Sequence, residues 1–350
     1  NSYFAAPAFL GQGELFNLIN IYGLRQGTTL NGLTIIINCK MKTVSKFPFL
    51  LFLIGCCCLA QPSFSQNLQF KKTSNGILLE ENSQPRFFYQ TATKSLNGEY
   101  PRSNYVHPLY GLDGEVLTED FPEDHLHHHG IFWAWHQLYA EGKRVGDPWI
   151  SEGVDWKVKK TRTKAKKNKA EINARIDWIQ TANNQPIVQE DLVIKFERLE
   201  EDVFALTFDV DLTALVDGVE IGGSEDAKGY GGFSPRFFLP EDIVFESTEG
   251  NVEPHNLPVQ AGPWMNMKGT FDPGTELSSG IVIMGEPDRL PSYKGWILRS
   301  ANSMQNMAFP GKEPIAIEKG KSLSFRNQIL VHRDLSQEQI QIYYEKFRAK

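Results

Sequence analysis

At residues 171–179 the chain reads EINARIDWI, in which Ile172, Ala174, Ile176 and Trp178 alternate with Glu171, Asn173, Arg175 and Asp177. This period of two constrains the fold more than any other feature. Successive side chains of an extended backbone point to opposite sides, so one face of such a strand can be buried while the other meets water. A helix would scatter the same apolar residues around its circumference. The pattern recurs through Phe204, Leu206, Phe208, Val210 and Leu212, and in a run that pairs Leu323 and Phe325 with Ile329 and Val331. Shorter strands are predicted at 77–79, 87–90, 131–135, 237–239, 243–246, 281–284 and 296–299. Asn75-Gly76, Asp113-Gly114, Asp217-Gly218, Pro273-Gly274 and Lys319-Gly320 mark turns between them. Only residues 337–347 carry a convincing helical pattern. The expected fold is all-β, a large antiparallel β-sandwich with a short C-terminal helix.

The first 65 residues read differently. Met41 opens MKTVSKFPFLLFLIGCCCLAQPSFSQ, with Lys42 and Lys46 ahead of an apolar run at 47–60, and small Ser63 and Ser65 before Gln66. Those parts, in that order, spell a secretory signal peptide. The expectation is a leader at 41–65, residues 1–40 as upstream translation from a misplaced start, and 66–350 as one domain in the periplasm or outside the cell. Leu53-Ile54-Gly55-Cys56 also resembles a lipobox, so the alternative is a lipid anchor at Cys56. The apolar run falls short of the roughly twenty residues that cross a bilayer, and no later segment comes closer. No integral membrane segment is expected after leader removal. All four cysteines, Cys39, Cys56, Cys57 and Cys58, precede residue 66, which excludes disulfides and thiolate metal sites from the predicted product. The net charge of −6 becomes −9 without the +3 of positions 1–65, where Arg25, Lys40, Lys42 and Lys46 face Glu14. Such a chain is not expected to seek nucleic acid.

Two segments stand apart from the strand pattern. KVKKTRTKAKKNK at 157–169 concentrates cations in an acidic chain. It reads as a solvated hairpin with Lys166-Lys167-Asn168 at its tip, its lysines discouraging edge-to-edge pairing, and a polyanion site is the rival reading. EDHLHHHGIFWAWHQ at 123–137 holds five of the eight histidines, His125, His127, His128, His129 and His136, with His107 just upstream. If the segment is extended, His125, His127 and His129 share one face and His128 takes the other. An HxH pair then sets two imidazoles roughly 6–7 Å apart, near enough for His125 and His127 to hold a divalent metal. Asp124 would be a third ligand or the acceptor that fixes a tautomer. The same residues suit metal-free acid–base chemistry, because imidazole gives and takes protons near neutral pH. A polar network of mutually satisfied imidazoles is the structural alternative. Nearby Trp133, Trp135 and Trp149 offer flat faces for sugar rings, and core packing explains Trp133 and Trp135 equally well. No P-loop, GxGxxG fingerprint or GxSxG elbow occurs.

YVHPLYGLDGEVLTEDFPEDHLHHHGIFWAW at 105–135, KGYGGFSPRFFL at 228–239, GPWMNMKGTF at 262–271 and SLSFRNQILVH at 322–332 together carry a resemblance. The chain resembles a family of secreted bacterial proteins of unknown function that often bears the label "methane oxygenase PmoA-like". The likeness spans nearly all of 66–350. The polar positions it carries over are His107, Asp124, His125, His127, His128 and Arg236. His129 stands where that family usually has arginine, and Glu286-Pro287 where a His-Pro pair is common. The label itself fails physically, since a membrane monooxygenase subunit needs apolar spanning helices that 66–350 lacks. What the resemblance implies is a secreted β-sandwich of the supersandwich kind seen in galactose mutarotase-like proteins. The expected function is a carbohydrate-acting enzyme, an epimerase, lyase or hydrolase. His107, His125, His127 and His128 would converge in its concave face, and Arg236 would grip a substrate oxygen. Asp124, Trp133, Trp149 and Tyr230 are its expected substrate-binding residues. A non-catalytic carbohydrate-binding or structural envelope protein is the alternative.

Overall fold

The computed structural model describes residues 67–272, 274, 275 and 277–350. The predicted leader, the lipobox-like tetrapeptide and Pro273 of one predicted turn lie outside the described residues. Two antiparallel sheets form the body. The larger has nine strands, in the spatial order Val154–Lys166, Lys169–Gln180, Gln185–Glu200, Val203–Ala214, Ser322–His332, Ser279–Gly285, Trp264–Gly269, Val244–Ser247 and Gly250–Asn251. The smaller has six, in the order Leu68–Lys72, Gly76–Glu81, Gln84–Gln90, Tyr105–Leu109, Ile131–Ala134 and Gly232–Pro235. A four-stranded sheet and two short ribbons complete the strands.

The period of two does what chain geometry demands. Ile172, Ile176 and Trp178 are wholly buried, as are Phe204, Leu206, Phe208 and Leu212 of the strand two places over. They meet Ile77, Leu79, Phe87, Val106, Ile131 and Trp133 of the six-stranded sheet in one core, making the protein an all-β sandwich. Each such side chain contributes roughly 1.5–3 kcal/mol of apolar transfer. Across the seam Trp133 packs on Phe208 with ring centroids 6.0 Å apart. The wholly buried Glu190 accepts bonds from Asn104 Nδ2 at 2.8 Å, Trp133 Nε1 at 3.1 Å and Trp178 Nε1 at 2.8 Å.

The opposite face of the nine-stranded sheet is only partly covered. Val203, Ala205, Val282, Met284 and Leu330 point outward there and are capped by Ile340, Tyr343, Tyr344 and Phe347 of the helix Gln337–Arg348. The helix starts where Ser336 Oγ accepts the Gln339 N–H and Gln339 Oε1 accepts the Ser336 N–H, a capping box. The basic run is the hairpin its composition predicts, with Lys166 paired to Lys169 across the tip. One predicted strand is absent. At 237–239 there is a single bridge from Phe237 to Thr118, because the facing segment is itself irregular and the ladder cannot continue.

Candidate active site

Strand alternation also decides what lies on the outer face of the six-stranded sheet. Val106 and Trp133 point into the main core, so Tyr105, Phe132 and Ala134 point outward, into a separate aromatic cluster with Trp149. The histidine segment folds over this cluster. It is a closed loop and not an extended strand: Gly130 N–H bonds Glu119 O at 2.8 Å, Phe121 N–H bonds His128 O at 3.0 Å, and two turns follow, His125 N–H to Pro122 O and His128 N–H to His125 O. Pro122 and Asp124 are turn formers, and this chemistry overrides the alternation that HxH suggests. The expected split into two faces therefore fails. His125, His127 and His128 share one cluster, and His129 turns away alone.

The three rings touch. His125 stacks on His128 with centroids 4.7 Å apart and planes inclined by 4°. His127 stands edge-on to both, 5.7 Å from His125 and 4.7 Å from His128. His125 is at the surface, with its side chain 40% exposed, and His128 lies beneath it at 2%. Burial, reinforced by the neighbouring imidazoles, lowers the pKa of His127 to about 4 and drives that of His128 down further. Both rings are neutral at pH 7.

His125 is held differently. Its Nδ1 lies 2.5 Å from Asp124 Oδ2, and the Asp124 carboxylate also accepts Arg236 Nη1–H at 3.0 Å and Nη2–H at 2.8 Å. Burial would raise the Asp124 pKa, but hydrogen bonds from Arg236 and His125 hold it below the usual carboxylate range. An ionised carboxylate can only accept, so His125 Nδ1 carries a proton, and in the neutral ring the lone pair is on Nε2. Arg236 is itself fixed. Its Nε–H donates to Glu119 Oε2 at 2.7 Å, and its backbone bonds both Glu119 and Gly130 at the neck of the loop. With Nε, Nη1 and Nη2 all engaged on carboxylates and only 2% of its side chain exposed, Arg236 cannot grip a substrate oxygen as expected. It positions Asp124.

Two further histidines, His129 and His136, form carboxylate pairs of their own. His129 Nδ1 meets Asp120 Oδ1 at 3.0 Å, and Asp120 Oδ2 accepts from Lys94 Nζ at 2.7 Å and the Tyr105 hydroxyl at 3.2 Å. His107 belongs to this neighbourhood and not to the three-ring cluster: its Nδ1 faces Thr118 Oγ1 at 3.0 Å, and burial lowers its pKa to about 4. His136 Nδ1 meets Asp147 Oδ2 at 2.9 Å, and its ring stacks on Trp149 with centroids 5.2 Å apart. Tyr230 stands edge-on to both, 4.9 Å from each. Trp149 and Tyr230 thus fall beside the site, but Trp149, 1% exposed, packs under it and only half-buried Tyr230 can meet a ligand. Trp133 is on the other side of the sheet, wholly buried and bonded to Glu190, so it offers no face to a ligand. Asp120, Asp147 and Glu119 are not singled out by the sequence, since a carboxylate's role as a partner depends on which loop folds against it; His136 counts among the clustered histidines but is given no role there.

Three buried ring nitrogens have no protein partner: His128 Nδ1, His129 Nε2 and His136 Nε2. Buried polar atoms are normally paired, so these are places where a bound donor or acceptor would be satisfied. Among the described residues no group of three or more His, Cys, Asp or Glu side chains is arranged to hold a metal ion. The HxH pair has its ring planes inclined by 78°, with one Nδ1 already taken by Asp124. No helix among the described residues is long and apolar enough to cross a membrane.

Residues 77–345 match the family described as "Family of unknown function (DUF6807)". Heparan sulfate lyase HepC from Pedobacter heparinus, and a mutant of it, each align at a TM-score of 0.35 with 7% identity, over 79% of this chain and 37% of theirs. The chain therefore spans little more than a third of that lyase, and at this TM-score the likeness carries no argument. No curated protein matches.

Proposed function

The chain belongs to this family of unknown function, and from that premise we propose that it is a secreted carbohydrate-acting enzyme whose His125 performs acid–base chemistry on a sugar. One observation carries the reading: the relay Glu119–Arg236–Asp124–His125, which fixes the tautomer and direction of one surface imidazole. A carboxylate that orients Nδ1–H leaves Nε2 to take a proton and stabilises the imidazolium that results. His127 and His128, neutral and adjacent, are hydrogen-bonding partners for substrate hydroxyls and do not compete as cations. Half-buried Tyr100, its ring centroid 6.0 Å from that of His127, and half-buried Tyr230 supply aromatic edges with polar tips, which suits a ring with apolar C–H faces and polar rims. Epimerisation, elimination and hydrolysis all require a proton to be abstracted and one to be returned. His125 is the residue positioned for the first role, and the imidazolium it becomes can return the proton.

The test is turnover of an oligosaccharide panel followed by mass spectrometry. The wild type is expected to convert at least one sugar, with activity that survives EDTA and is abolished in His125→Ala/His127→Ala. Full activity in the double variant would end the proposal, and loss on chelation would move it to a metal-assisted form.

A further inference from the structure

A cavity of about 810 Å³ lies nowhere near the histidines. It lies on the outer face of the nine-stranded sheet, beyond the part the C-terminal helix covers, and so on the opposite side of the sandwich. Its floor is a cross-strand row, Lys164 beside Glu171, Glu171 beside Lys195 and Lys195 beside Thr207. Cations outnumber carboxylates along it. Glu197 is shared by Lys169 and Lys350, and Asp209 by Lys195 and Arg326. Lys164, Lys166 and Lys167 have no ion-pair partner among the described residues. A depression of about 280 Å³ that also contains Asp209 and Arg326 extends the cavity toward Glu286, and another of about 280 Å³ lies farther along the same strands around Arg162 and Arg175.

Edge protection explains lysines on the outermost strand, Val154–Lys166. It does not explain Lys195, Arg326 and Lys350, which sit on central strands and at the chain end. A positive trough on a chain whose formal net charge is −6 is a local inversion of sign.

We infer that this trough binds an acidic polysaccharide, one bearing carboxylate or sulfate groups, and holds it on the protein at a distance from the histidine site. The mixed lining fits that chemistry: anionic groups meet the unpaired lysines, while sugar hydroxyls donate to Glu171 and Glu197. The phosphodiester backbone of DNA carries no hydroxyl donors for those carboxylates. A membrane surface does not fit a concave wall. The inference rests on the carbohydrate reading above and adds the charge class of the polymer.

Affinity electrophoresis and titration calorimetry with polygalacturonate, dextran sulfate and neutral dextran test it directly. The expected result is retardation by one or both acidic polymers, which identifies carboxylate or sulfate as the group read, and none by dextran. Affinity should fall at least tenfold in Lys164→Glu/Lys166→Glu/Lys167→Glu, and by a smaller factor in the milder Lys→Gln triple. It should be unchanged in Lys72→Glu/Lys143→Glu/Lys321→Glu, which makes the same charge change at exposed positions elsewhere. Binding should also survive His125→Ala, so failure here is separable from failure of the catalytic proposal. Three outcomes would overturn the inference: no retardation by either acidic polymer, equal or tighter binding of single-stranded DNA or phosphatidylglycerol vesicles, or equal loss in both lysine triples.

Discussion

His125 is the residue on which the proposed chemistry turns, and its state follows from its neighbours. Asp124 is an acceptor because Arg236 makes it one, so the Nε2 lone pair of His125 faces outward by construction. Nitrogen-detected NMR at pH 7 should show His125 as the Nδ1–H tautomer, with Asp124→Asn mixing the tautomers; an Nε2–H form in the wild type would contradict the relay. Removing the guanidinium in Arg236→Met leaves Asp124 and Glu119 facing each other, and a loss of about 1–3 kcal/mol is expected by chemical denaturation. The pH dependence has a definite sign. His107, His127 and His332 are each lowered by burial from 6.5 to about 4, so between those values the unfolded chain binds more protons than the folded one. Stability therefore falls as pH drops from 6.5 toward 4, and these groups add nothing further below that. Thermal unfolding across pH 7 to 4 reads this directly, and a flat Tm would refute it.

Among the elements, strands announced themselves and loops did not. Ile172, Ile176, Trp178 and Phe208 could be placed in the core from spacing alone, because a period of two has one geometric meaning. The segment 119–130 could not, since its shape depends on backbone bonds from Arg236, more than a hundred residues away. Sequence therefore grouped His125, His127 and His128 through a family resemblance while misreading the backbone that gathers them. Gly130 shows how tightly the loop is seated. Its φ is +50°, and a Cβ there would lie 2.2 Å from Val106 O. Gly130→Ala should cost at least about 1 kcal/mol and shift the resonances of all three clustered histidines. At the other end of the chain, Ser336→Ala removes the capping box and should cost about 1 kcal/mol, read as a drop in Tm with the His125 tautomer unchanged. A coupled change at both places would mean that the two faces communicate.

At the scale of the whole molecule the sandwich is a spacer between two unlike surfaces, joined through Glu190. Three donors converge on that carboxylate from both sheets, so Glu190→Gln turns an amide N–H₂ against one of them and should cost about 1–3 kcal/mol despite its equal size. On one side is an oriented imidazole among neutral ones; on the other is a basic trough. The first was legible in outline from EDHLHHHG, the second only as a lysine-rich hairpin, because the cations of central strands and chain end join it in space and not in sequence. The most direct test of the central claim compares turnover of a converted sugar by wild type, Asp124→Asn and His125→Ala. A loss on the order of 10²–10⁴-fold is predicted for His125→Ala, with a smaller loss for Asp124→Asn at unchanged fold. Wild-type rates in His125→Ala would contradict the account.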